Sequence, residues 1–213
     1  MYLPSFSMIG KPRPPDLLSR LVIAIDRSMR RRLGIWEFSD DPDCILRVGL
    51  TRSRWEMTLN DGTVIRRGET IGTIHAWNER VPPIPPTGAD MAWARELRRR
   101  LIRSLQLLAR AAREDPRLQT IRGFGGSGVL HFSPAILRLL GRLGLEIYEL
   151  PPQTVWDRIE EQVGRVWTWL MRRTFNPPSV EGRGLDVLSR RFYWLSREKL
   201  LQMYGDGGDN HEQ

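Results

Sequence analysis

Residues 55–79, WEMTLNDGTVIRRGETIGTIHAWNE, place two turn signals and three strand-like runs in one short span, and no other stretch constrains the fold as tightly. Trp55, Met57 and Leu59 alternate as one face of a strand. Asp61 and Gly62 follow as a two-residue turn whose glycine accepts the positive φ that strand twist demands. Residues 63–65 lead into a second turn at Arg66, Arg67 and Gly68. Residues 70–77 then predict a long strand with Ile71, Thr73, His75 and Trp77 on one side and Gly72, Ile74 and Ala76 on the other. Upstream, residues 44–50 put Leu46, Val48 and Leu50 on one face. The expectation is an antiparallel meander of three or four strands.

Helices flank it. Asp16 follows two prolines and suits an N-cap, and Leu17, Leu18, Leu21, Val22, Ile25 and Met29 recur at helical spacing, with Gly34 as the stop. Arg30, Arg31 and Arg32 fall in the last turn, where they complement the helix dipole and would equally suit a phosphate. VPPIPP, residues 81–86, is a stiff connector. A second helix, capped by Thr87 or Asp90 and ended by Asp115 and Pro116, carries Ala94, Leu97, Leu101, Leu105, Leu108 and Ala112 inward. Arg95, Arg98, Arg99, Arg100 and Arg103 face out. Residues 119–122, GFGGSG and residues 129–132 read as strand, glycine turn and strand. A short helix follows from Ser133 and Pro134 to Leu143, closed by Gly144. Residues 145–150 read as a strand. The helix over 154–173 has Val155, Ile159, Val163, Val166 and Leu170 as its expected core line. Residues 185–195 read as extended, and Ser196 caps a closing helix through Tyr204. The whole is an α+β domain over residues 1–205, its meander extended by further strands and packed against three or four amphipathic helices; residues 206–213 are expected to be a disordered polar tail.

An apolar fraction of 40% with 27% charged residues suits a globular chain of 213 residues, neither disordered nor membrane-spanning. The net charge of +8 draws the chain toward anionic partners. Only Lys11 and Lys199 are lysines, so the bias to arginine also fits genome composition or heat adaptation. A lone cysteine, Cys44, excludes an internal disulfide and suits a reducing compartment. The opening MYLPSFSMIGKPRPP lacks the pattern of a secretory signal, and no apolar run approaches the ~20 residues a membrane-spanning helix needs. The expected location is the cytoplasm, with peripheral contact to membrane allowed by the basic, tryptophan-rich surface.

Few motifs carry chemistry. Gly123, Gly125 and Gly128 match the dinucleotide fingerprint in spacing, but the residues after them read as extended where that motif needs a helix. DGTVIRRGETIGTIH has the cadence of a biotinyl or lipoyl carrier, yet no lysine lies between Lys11 and Lys199, which excludes that role. One cysteine and three scattered histidines give no zinc spacing, and no cofactor is implied. His75, Asn78 and Glu79 are the candidate catalytic group, with His75 as acid or base and Glu79 as its partner. Strict alternation separates His75 from Asn78, so joint action requires the strand to end near Trp77. Trp77, Arg122, His131 and Trp156 are candidate binding residues. Trp156, Trp167 and Trp169 share one basic helix that suits an anionic membrane, a sugar or a base, or a protein core.

GETIGTIHAWNERVP resembles the YkoP-like domain, found alone in small bacterial proteins and attached to some polysaccharide deacetylases; the closing LSREKLLQMYG is similar to the same group. The resemblance implies an accessory or binding role near envelope polysaccharide or its lipid-linked precursors. The deacetylase's own Asp-Asp and His-x-x-x-His signatures are absent, so its activity does not transfer. Two other classes stay open: a transferase-type enzyme using His75 and Glu79, and a nucleic-acid binder using the Arg95 to Arg103 face, whose affinity would fall steeply with salt.

Overall fold

Asp16 caps the first helix, accepting a 2.8 Å hydrogen bond from the Ser19 amide. The computed structural model describes residues 16–130, 134–149, 154–180, 184 and 188–205. The expected tail, residues 206–213, lies outside them. Helix α1 is Leu17–Arg32, and the chain leaves it through Gly34 at φ +61°. Strand β1 (Leu46–Arg52) pairs antiparallel with β4 (Thr70–Ala76) along its whole length, from Leu46 opposite Ala76 to Arg52 opposite Thr70. Between them β2 (Met57–Thr58) and β3 (Val64–Ile65) form a separate two-stranded sheet around the positive-φ Gly62.

The four strands therefore do not run as one continuous meander. The Ser53 amide donates to the Glu69 carbonyl and the Gly68 amide to the Ser53 carbonyl, each at 2.8 Å, closing the β1–β4 ladder. The chain between these bonds must leave the sheet, and it folds back so that Leu59 and Ile65 bury against Ile71 and Trp194.

Helix α2 (Met91–Glu114) starts at Asp90, whose carboxylate accepts from the Trp93 amide, and a short α3 (Pro116–Gln119) follows. Strand β5 (Gly123–Leu130) comes next, then α4 (Pro134–Arg142) and β6 (Glu146–Tyr148). Helix α5 (Val155–Phe175) opens on a capping box between Thr154 and Asp157. Strand β7 (Ser189–Ser196) leads directly into α6 (Arg197–Tyr204), capped by Ser196. The main sheet runs β1-β4-β5-β7-β6, with only β4 and β5 parallel. The class is α+β, and the later strands extend the sheet. Leu108, Ala112, Leu118, Phe124, Leu195 and Leu200 anchor the core between this sheet and α2 and α6.

Two further expectations need correction. The glycine run is no turn: residues 123–130 form one strand paired with β7 from Gly123 opposite Ser196 to Leu130 opposite Ser189. The missing side chains make room for aromatic rings laid across the strand. A Cβ on Gly125 would stand 2.3 Å from the Trp194 ring, and one on Gly126 2.7 Å from the Tyr193 hydroxyl.

Four of the five residues in the expected core line of α5 are also uncovered, Leu170 alone being half-buried. Val155 and Val163 are 69% and 63% exposed, and Ile159 and Val166 are exposed as well. On α1, Leu17 is 84% and Leu21 55% exposed; Val22 is buried, as is Met171 of α5. Helical spacing defines an apolar stripe but not which layer covers it.

Candidate functional site

β4 and β5 meet at a single register pair, Gly72 opposite Phe124, and the glycine is required there because a Cβ would lie 2.3 Å from the Phe124 ring. Further along, the strands are bridged by a side chain instead of by backbone. Tyr193 of β7 reaches over Gly126, donates its hydroxyl proton to the Ile74 carbonyl at 2.6 Å and accepts from the Ile74 amide at 3.1 Å. Burial pushes the Tyr193 phenol up to about 12, against the opposing pull of its bond to the Ile74 backbone.

Two cavities meet at this bridge. The first, about 480 Å³, is the more polar of the two, a cleft between the segment 51–57, the strand floor at Thr73, His75 and Ser127, and an α5 wall carrying Asp157, Glu160 and Glu161. The second, about 640 Å³, is predominantly apolar, with Met29, Leu33, Leu101, Leu140, Ile147 and Trp167 in its lining. Ile74, His75, Ser127, Glu160, Arg190 and Tyr193 border both.

In the cleft, His75 Nε2 shares a 2.9 Å hydrogen bond with Thr73 Oγ1. Burial lowers the His75 pKa to about 4, so the imidazole is uncharged at neutral pH. Gly49, buried opposite Thr73 on β1, leaves room for this pair: a Cβ there would lie 2.9 Å from Thr73 Oγ1, 3.2 Å from the Ile35 side chain and 3.7 Å from His75 Nε2. Arg190, largely shielded, lies 3.5 Å from Glu160, which also approaches Arg54 at 3.7 Å. Trp55 and Phe192 stack edge to face at 5.8 Å and supply an apolar wall. Trp194, also in the lining, has a buried indole N–H with no acceptor among the described residues.

The predicted catalytic trio does not converge. His75 faces the cleft, whereas Asn78, Trp77 and Glu79 line neither cavity. Asn78 is half-buried in a turn closed by the Arg80 amide on the Trp77 carbonyl. The Trp77 ring is buried between the Arg47 and Arg80 guanidiniums, 4.4 and 3.5 Å from its centroid. Glu79 accepts from Arg47 at 3.1 Å and from Arg30 at 3.3 Å, tying β1 and α1 together; partial burial works to raise its pKa, but its own amide and these guanidiniums hold it below the usual range.

Of the remaining candidates, Arg122 pairs with Glu69 at 3.3 Å, away from the cleft lining, Trp156 is 78% exposed on the first turn of α5, and His131 lies outside the described residues. Ser127, Glu160, Arg190 and Tyr193 have no local signal in the sequence; the alternation of 189–196 offers only a hint that Tyr193 faces away from Phe192 and Trp194. On the α2 face, Arg99 binds both Asp43 oxygens at 2.6 and 2.9 Å and also Glu96. Arg103 binds Asp41 at 2.8 Å. Bonds from Arg99 and Arg100 pull Glu96 down to about 2. These cations thus fasten α2 to the acidic loop.

Among the described residues no three His, Cys, Asp or Glu gather as a metal would require, and no helix is long and apolar enough to cross a membrane. Neither the curated proteins nor the solved structures compared with this chain yield a match. One family does: the YkoP domain matches residues 17–204, spanning every helix and strand described above, and the chain belongs to that family.

Proposed function

We propose that this YkoP domain binds an amphiphilic ligand, seating a sugar-like head in the polar cleft and an apolar chain in the adjoining cavity. The observation that carries the reading is the set of six residues bordering both cavities, which makes one continuous site of two unlike halves. Each volume falls within the ~300 to 1,000 Å³ usual for small-molecule sites. Trp55 and Phe192 offer ring faces to a sugar, while Ser127, Arg190 and the α5 carboxylates offer donors and acceptors to its hydroxyls. Lipid-linked precursors of envelope polysaccharide have this chemistry.

The test is a calorimetric titration with dodecyl glucoside below its micelle concentration, beside glucose alone. Saturable binding of the glycoside, weakened by His75→Ala and by Leu140→Arg, is expected. Absence of saturable binding, or binding indifferent to both variants, overturns the proposal.

A second reading, catalysis in the same cleft, draws on His75, whose imidazole is unprotonated at neutral pH and so free to accept a proton, though the burial that lowers its pKa also weakens it as a base. Turnover of an activated glycoside that vanishes in a folded His75→Gln variant would select it over binding alone.

A further inference from the structure

We infer that the face formed by α1 and α5 docks the domain on an anionic lipid bilayer. Among the described residues, the exposed large apolar side chains are concentrated on these two helices and the residue after α1; only Met91 and Ile136 lie elsewhere. The helices pack against each other, and Arg173 of α5 approaches Asp16 at the start of α1 to 3.6 Å, so their exposed rows are neighbours. A contiguous apolar surface of this kind marks an interaction site.

Charge selects the occupant. The side chains of Arg20, Arg27, Arg31 and Arg32 on α1 and Arg158 on α5 are exposed and have no hydrogen-bond or ion-pair partner among the described residues. The acids of α5 are engaged: Glu160 with Arg54 and Arg190, Glu161 with Arg165, and Asp157 with its cap. The free charge around the apolar rows is therefore positive. A second copy of the chain, itself at +8, would bring like charge against like. An anionic bilayer instead accepts both halves of the surface: leucines, valines and an interfacial tryptophan enter the headgroup boundary while arginines meet lipid phosphates. Trp156, 78% exposed at the amino end of α5, is placed for that interfacial role. Met29 and Leu33 belong to this face and also line the apolar cavity, so the docked surface borders the cavity's rim. The docking itself does not rest on the ligand proposed above.

Co-sedimentation with phosphatidylcholine vesicles, with and without phosphatidylglycerol, tests the inference. Binding to the phosphatidylglycerol vesicles at low salt is expected, at least about tenfold above neutral vesicles, falling as salt rises. A blue shift of tryptophan emission that Trp156→Phe removes should accompany it. Leu21→Glu with Val163→Glu alters exposed positions only and should lower binding about tenfold or more with an unchanged circular dichroism spectrum. Arg27→Glu with Arg31→Glu should lower binding to the anionic vesicles alone. Leu140→Arg, which obstructs the apolar cavity, should leave vesicle binding intact. Equal binding to both vesicles, no binding at low salt, or retention by the Leu21→Glu, Val163→Glu variant overturns the inference. A dimer in sedimentation equilibrium that the same variant dissociates would also overturn it, assigning the face to a second copy.

Discussion

The Tyr193 hydroxyl serves both backbone groups of Ile74, a residue 119 positions away in the chain, at 2.6 Å to the carbonyl and 3.1 Å to the amide. In an ordinary parallel sheet the neighbouring strand would satisfy those groups. Here β5 does so only beside Gly72, and a phenol from the strand beyond it completes the pairing. The bridge keeps β4 and β5 in one sheet while leaving room at their diverging ends for the cleft and the apolar cavity.

Tyr193→Phe should therefore destabilise the fold more than the loss of one hydroxyl suggests. A buried donor and a buried acceptor are both left unpaired, at ~1–3 kcal/mol each, giving a loss of about 2–4 kcal/mol once some water enters from the cleft. Urea unfolding reads the loss, and amide exchange at Ile74 should accelerate in the variant. A stability change below about 0.5 kcal/mol would show that the bridge contributes no more than an average hydrogen bond. The native phenol, held up to about 12 by burial, should also stay unionised in an ultraviolet titration through pH 11.

Legibility in the sequence follows separation along the chain. Asp16, Asp90 and Ser196 are readable as caps because each accepts from an amide three residues away. Gly62 and Gly68 are readable as turns because positive φ is a local demand. The bridge, by contrast, joins Tyr193 to Ile74, and the cleft brings Ser127, Glu160 and Arg190 to His75 from three separate elements. No spacing rule connects them. His75 is found from its own strand, but its expected partner Glu79 is drawn to Arg47 and Arg30, whose positions on β1 and α1 depend on tertiary packing. The α5 stripe is legible as apolar and misleading as to burial, since its period is identical whether a core or another surface meets it.

Two glycines, one in β5 and one in α4, offer a test with opposite signs. Gly125→Ala places a Cβ 2.3 Å from the Trp194 ring, which is buried and cannot retreat, so a loss of about 1–3 kcal/mol is expected despite the gain in backbone entropy. Gly141, inside α4, has open space where a methyl group would sit, with nothing within 4 Å, so Gly141→Ala should stabilise by about 0.5–1 kcal/mol. Paired thermal melts decide the matter. Equal shifts in the two variants would mean that the glycine run is not held against the rings of β7.

The last prediction concerns pH. His75 titrates at about 4 when folded, because burial disfavours the imidazolium, against 6.5 when exposed. Below pH 6.5 the unfolded chain takes up a proton that the folded chain refuses, so stability falls as pH drops from 6.5 to about 4 and this contribution then levels off. The shift corresponds to about 3.5 kcal/mol at most, at ~1.4 kcal/mol per pH unit. His75→Asn keeps a polar side chain on the floor of the cleft without a titrating ring and should flatten the stability curve between those limits. Denaturant midpoints measured across the window for both proteins separate this histidine from the paired carboxylates, whose contributions persist in the variant. If the two curves remain parallel from pH 6.5 to 4, His75 is protonated without penalty and its imidazole is not the uncharged group on which the catalytic reading depends.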